Sequence, residues 1–135
     1  MNIQVAVLCD AATDDTGKLN LLGAFDTIYA EQFPAVHPQC TVALRATFHG
    51  EDEGEHKLTL RFINADGHPI MPGIDLPVTI SLPADPHFLT RNFIFNIQQL
   101  KFSEAGLYSL DILLDGKSQA GIPLLIKSLP PQPAA

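Results

Sequence analysis

The sequence predicts an all-β fold, a two-sheet antiparallel β-sandwich. Three observations carry this reading. Apolar and polar residues alternate with period two in several segments, as they do in strands with one buried face. The 9 Gly and 11 Pro are spread along the whole chain and leave no long amphipathic helical stretch. Thr16-Gly17, Asp66-Gly67 and Asp115-Gly116 fall between these segments, where two-residue turns belong.

Each element follows from its residues. Asn2 to Cys9 is a short, Val-containing apolar run and reads as a buried strand. Asp10 to Gly17 reads as an acidic turn loop. Lys18 to Leu22 and Ala24 to Phe33 read as one strand broken at Gly23, where a bulge or bend is expected. These pieces predict an added N-terminal hairpin. Pro34 to Gln39 reads as a loop. From Cys40 the alternation is clean: Val42, Leu44, Ala46 and Phe48 share one face, and Thr41, Ala43, Arg45 and Thr47 the other. His49 to Glu55 reads as a polar, solvated hairpin loop. Leu58, Leu60 and Phe62 point inward on the next strand. His68 to Pro77 carries three prolines and is expected at a sheet edge or in a crossover, because proline lacks the donor a ladder needs. Val78 to Leu82, Leu89 to Gln98, Tyr108 to Leu114 and Lys117 to Lys127 complete a count of eight or nine strands.

The chain of 135 residues is one domain's worth. It divides into a β domain over 1–129 and a Pro-rich tail over 130–135, where a polyproline conformation is expected. Hydrophobic residues make up 46% and charged residues 17%, a balance that excludes disorder. No apolar run approaches the ~18 residues of a membrane span. The start, Met1-Asn2-Ile3-Gln4, lacks the basic region of a secretory signal, which predicts a cytoplasmic protein. Cys9 and Cys40 are then expected as free, buried thiols. The net charge of -7, with no two cations adjacent, argues against nucleic acid and against a membrane surface as partner.

Around the last strands the pattern Phe95-x-Ile97-x-x-Leu100-x-x-x-Glu104-x-Gly106-x-Tyr108-x-Leu110 resembles the E–F corner of immunoglobulin-like sandwiches. The resemblance implies that Tyr108 turns its ring inward and bonds the upstream backbone. It implies that Glu104 caps the short turn and that Gly106 permits a close approach. Leu110 stands where such domains carry a core Cys, and the chain has no Trp, so the likeness is architectural only. The stretches Val5 to Ala12 and Gly17 to Ile28, with His37-Pro38-x-Cys40 and the Glu104–Tyr108 corner, are similar to a family of small bacterial single-domain proteins. That family is known only as a domain of unknown function. The similarity implies a bacterial β protein and no particular activity.

Candidate chemistry is sparse. His37-x-x-Cys40 has half of a zinc-ligand spacing, and nothing in the sequence completes the set. Asp10, Asp14 and Asp15 share one loop, and calcium takes six to eight oxygens from such loops. Acidic residues in turns also serve the turn itself. No Ser lies in a G-x-S-x-G elbow, and no glycine-rich phosphate loop is present. No catalytic residue and no cofactor is therefore assigned. The expected function is a non-enzymatic β-sandwich binding or scaffold module that forms a homodimer. The motivation is the set of apolar residues at outward positions, Ala43, Ile63, Ile94 and Leu113. Asn2 to Cys9, without proline or internal charge, is expected to be a central strand or an interface. The alternative is a small metal-dependent hydrolase using the acidic N-terminal loop. Thr41, Ala43, Arg45 and Thr47, with Asn92, Ile94, Asn96 and Gln98, form the expected outer face.

Overall fold

The computed structural model describes residues 1–84 and 87–130. Beyond Pro130, the predicted tail lies outside the described residues. Among the described residues ten strands follow in order: β1 (Asn2–Cys9), β2 (Ala11–Asp15), β3 (Lys18–Leu22), β4 (Thr27–Ala30), β5 (Ala35–Phe48), β6 (Gly54–Ile63), β7 (Ile74–Ile80), β8 (Leu89–Phe102), β9 (Gly106–Leu114) and β10 (Lys117–Ser128). A single 3₁₀ turn, Gly50–Asp52, stands between β5 and β6. Among the described residues, no helix is long and apolar enough to cross a membrane.

The strands form three sheets. One has the order β1-β5-β8, the second β4-β10-β9-β6-β7, and the third is the hairpin β2-β3. The fold is all-β, as predicted, but the five-stranded sheet is mixed. β4 runs parallel to β10, with Thr27 opposite Leu125 and Ala30 opposite Ser128. This corrects the expectation of purely antiparallel pairing. The cause lies at Gly23. The chain does not bend within one strand there. It leaves the small hairpin, crosses through Phe25, which bridges Leu8, and joins the other sheet as β4. Gly23 has φ +68, and a Cβ on it would stand 2.2 Å from Asp10 Oδ2.

Three further segments differ from expectation. The expected acidic loop from Asp10 to Gly17 is mostly strand: Ala11–Asp15 is β2, which pairs antiparallel with β3 and leaves only Thr16-Gly17 as the turn. His49 to Glu55 is no hairpin loop, because β5 and β6 lie in different sheets. It is the crossover between them. β5 begins at Ala35 and runs through Pro38. Opposite that proline, Gln99 takes φ +56, which marks an irregularity in the β5–β8 ladder. The proline-rich span behaves as expected: β7, with Pro77 inside it, is the edge strand of its sheet.

The inner faces of the three- and five-stranded sheets share one apolar core. Leu8, Leu44 and Phe48 come from one sheet, and Leu60, Leu110, Ile112 and Leu124 from the other. Their even spacing along each strand reflects the pleat, which sends alternate side chains to one face. The turns beside them use left-handed backbone. Thr16 and Gly17 have φ +50 and +86, and Asp115 and Gly116 have φ +51 and +81. Positive φ at both central positions is the type I′ signature, whose twist matches that of paired strands.

The outer face of the three-stranded sheet is covered along β5 and open along part of β8. Thr41, Ala43 and Thr47, predicted as solvent-facing, are buried, whereas Asn92 and Ile94 are half-buried and Asn96 and Gln98 are exposed, as predicted. The hairpin β2-β3 lies across β5 and β8. Polar groups under it are paired. Arg45 Nη1 donates to Gly17 O and to Asn92 Oδ1, each at 2.9 Å, and Nε donates to Gln4 Oε1 at 3.0 Å. Thr41 Oγ1 donates to Asn96 Oδ1 at 2.9 Å. Burial of such groups is tolerated when each finds a partner.

Gly23→Ala is expected to lower stability by about 1–2 kcal/mol, the cost of a side chain in left-handed backbone, with the displacement of Asp10 added. Urea unfolding measures this. In the Gly23→Ala background, Asp10→Ala should restore the part due to the contact and leave the backbone part.

Candidate functional site

The residues singled out for metal binding do not converge. Asp14 serves its turn: Oδ1 accepts from Gly17 N at 2.8 Å and Oδ2 from Asn92 Nδ2 at 3.1 Å. Asp15 is exposed next to that turn, and its carbonyl accepts from Thr16 Oγ1. The Asp10 side chain lies over Gly23. His37 packs its ring against Phe25 with centroids 5.6 Å apart, and its Nε2 is buried without a partner. Cys40 belongs to the main core. Among the described residues, no three His, Cys, Asp or Glu side chains gather as metal ligands do.

Both cysteines are free and buried. Cys9 stands opposite Thr41 and donates to its carbonyl at 3.6 Å. Burial raises its thiol pKa, and the neighbouring Asp10 charge raises it further. Burial pushes the Cys40 thiol up to about 11, with Cys9 adding to the shift. A thiol held protonated is a poor nucleophile and a poor ligand.

Tyr108 is buried, and its OH donates to the backbone carbonyl of Glu104 at 2.7 Å. Its ring meets Phe102 edge-on at 5.0 Å, and Phe102 meets Phe62 in the same manner at 6.5 Å. The Glu104 side chain is exposed; the residue contributes its carbonyl to the corner. A Cβ at Gly106 would meet no atom within 4 Å, and the backbone there has φ +149. Glycine stands at this position for its conformation and not for a close approach.

The outer face of the five-stranded sheet is open, as are single apolar side chains elsewhere such as Leu22 and Val36. On the outer face of the five-stranded sheet, Ile63 lies opposite Ser109, and Ser109 opposite Pro123. In the next row Leu107 lies opposite Leu125, and Leu125 beside Thr27. Tyr29 follows, beside Lys127. Leu107 and Tyr29 are 56% and 58% exposed, far above the core level. A groove of about 530 Å³ runs among Ile63, Asn64, Leu107, Ser109, Gly121 and Pro123. On its floor Ser109 Oγ donates to Asp111 Oδ1 at 2.8 Å. Of the apolar residues predicted to face outward, Ala43 and Leu113 are buried and Ile63 and Ile94 are half-buried. Leu107 and Tyr29 were not among them. The signal for Leu107 was its odd parity beside inward-facing Tyr108.

β1 is an edge strand paired to β5 along one side, and its other side lies against β10. It is therefore not a central strand.

Tyr108→Phe is expected to cost about 1 kcal/mol, since it removes one hydrogen bond and takes a donor away from the Glu104 carbonyl. Tyr108→Ala should cost about 3–5 kcal/mol as an aromatic truncation in a core. Urea midpoints read both. Cys9 and Cys40 should react slowly with a thiol reagent in the folded protein, and both should titrate after unfolding. Fast reaction without denaturant would contradict their burial.

No curated protein and no solved structure matches the chain at a significant level. A family model does, over residues 4–127, which is nearly the whole chain and includes the hairpin, the Tyr108 corner and the open sheet face. The chain belongs to a family of unknown function, DUF6941.

Proposed function

We propose that the chain is a non-enzymatic binding or scaffold module, an immunoglobulin-like sandwich with an added N-terminal hairpin, that works through the open face of its five-stranded sheet. The observation that carries this reading is the contrast between the two outer faces. The chain lays its own hairpin over one and leaves on the other the exposed side chains of Leu107, in the row with Leu125 and Thr27, and of Tyr29, beside Lys127. Large exposed apolar side chains grouped on one sheet face favour an interaction site. The bond from Tyr108 to Glu104 O supports the immunoglobulin-like reading. The resemblance to small bacterial single-domain proteins supports a bacterial origin, and the two free thiols support the cytoplasm.

The occupant we propose is a second copy of the chain, giving a homodimer. A metal-dependent hydrolase built on Asp10, Asp14, Asp15, His37 and Cys40 draws no support. Asp14 is engaged by Gly17 and Asn92, and Cys40 faces the core.

Light scattering over micromolar to millimolar concentrations should give a mass near twice 14.6 kDa. Leu107→Glu should return it to 14.6 kDa, and at concentrations low enough for wild type to be monomeric the two urea midpoints should agree, because Leu107 is exposed. With both copies carrying -7, added salt should strengthen pairing by screening their repulsion. A wild-type mass near 14.6 kDa throughout would overturn the homodimer.

A further inference from the structure

The segment read from sequence as a solvated hairpin loop, His49 to Glu55, is fastened by the histidine that follows it. His56, on β6, has an acceptor at each ring nitrogen. Nδ1 lies 2.6 Å from Asp115 Oδ2, and Nε2 lies 2.6 Å from the carbonyl of Asp52. Each partner is itself held. Asp115 Oδ1 accepts from Lys57 N at 2.8 Å, and Asp115 N donates to Lys57 O at 2.9 Å. Asp52 Oδ2 accepts from His49 N at 2.9 Å, and its Oδ1 accepts from the α-amino group of Met1 at 3.2 Å. Three separate parts of the chain meet here: the crossover between the sheets, the start of β6, and the β9–β10 turn.

A carboxylate oxygen and a peptide carbonyl only accept. A neutral imidazole carries one N–H and satisfies one of them, and only the imidazolium donates to both. We propose that His56 is a pH-sensitive clasp, closed as the imidazolium, that fastens the inter-sheet crossover at Asp52 to the β9–β10 turn at Asp115. Loss of the ring proton withdraws the histidine's donor from one of the two acceptors, and the crossover loosens at its Asp52 end.

The surrounding charges favour the closed state. Asp115 and Lys117 come from the β9–β10 turn and its exit. Glu51, Asp52 and Glu53 come from the crossover, Glu55 and Lys57 from β6, and the Met1 amine sits on Asp52. The β7 residues that pair beside His56, Pro77, Val78 and Thr79, carry no charge. The bond to Asp115, then that to Asp52, raise the pKa of His56 above its ordinary 6.5. The same imidazolium lowers that of Asp115, and the bond from His49 N lowers that of Asp52.

The sign follows. A raised histidine contributes stability that is fully present below about 6.5 and is lost as pH rises through its folded value. The two carboxylates contribute stability that is present above 3.8 and is lost as pH falls through their depressed values. The clasp is closed between these limits.

The test is an NMR titration of the five histidine rings, with urea unfolding between about pH 6 and about pH 9. The His56 midpoint should lie above 6.5, and wild-type stability should fall across this range more steeply than that of His56→Gln. Amide exchange at Asp52 to Lys57, corrected for intrinsic base catalysis, should rise with pH in wild type and stay flat in the variant. Asp115→Asn keeps an acceptor for Lys57 N and tolerates the left-handed backbone. Its amide can donate to the neutral ring, so the His56 midpoint should drop below that of wild type. A wild-type midpoint at or below 6.5, or equal pH slopes in wild type and His56→Gln, would overturn the clasp.

Discussion

From Cys40 to Phe48 β5 is buried on both faces, and much of the architecture follows from that constraint. Its inward side chains Val42, Leu44, Ala46 and Phe48 enter the common core. Its outward residues Thr41, Ala43 and Thr47 are equally shielded. A strand in this position needs two covers. The five-stranded sheet supplies one, and the β2-β3 hairpin supplies the other. The hairpin stays in place because Arg45 reaches both Gly17 O on its turn and Asn92 on β8, while Asn92 also holds Asp14. Four polar groups are thus satisfied in one network. Removing Arg45 or Asn92 would loosen the hairpin at its turn by taking away the bonds that reach Gly17 and Asp14.

The same constraint shows where sequence reading succeeded and where it stopped. Leu58-Leu60-Phe62 and Tyr108-Leu110-Ile112-Leu114 alternate cleanly, because most of the residues between them, such as Lys57, Arg61, Ser109 and Asp111, are polar. The inward set was readable there from period two alone. On β5 the alternation gave the inward face and misassigned the outward one. Thr, Ala, Arg and Thr are residues of exposed faces, and nothing local reveals that a hairpin some thirty residues upstream folds over them. The Asp-Gly and Thr-Gly turns were readable because left-handed backbone demands particular residues. The parallel pairing of β4 was not, since strand direction depends on a non-local partner.

Site chemistry divided along the same line. Tyr108 could be placed from a short pattern, because its partner Glu104 is four residues away. The acidic residues of the N-terminal loop suggested a cation and turned out to serve turn and hairpin geometry. His56 and Asp115 are 59 residues apart, and each looked like an ordinary turn residue. Asp115 fills both roles: it adopts φ +51 in the turn and presents its carboxylate to His56 and Lys57.

These features bear jointly on the open face. Its central strands, β6, β9 and β10, are hydrogen-bonded neighbours, with β7 and β4 flanking them. The inner sides of the three central strands are packed against the core, and the entrance to β6 is tied to the β9–β10 turn through Lys57 and Asp115. Side chains that project outward from such a frame have little backbone freedom left to lose on binding. A partner at the proposed site around Leu107 and Tyr29 would meet a surface whose ordering cost was met during folding. The covered face could not play this part. Its Thr41 and Arg45 groups are already committed to Asn92, Asn96 and the hairpin, and a partner would have to displace those bonds before making its own.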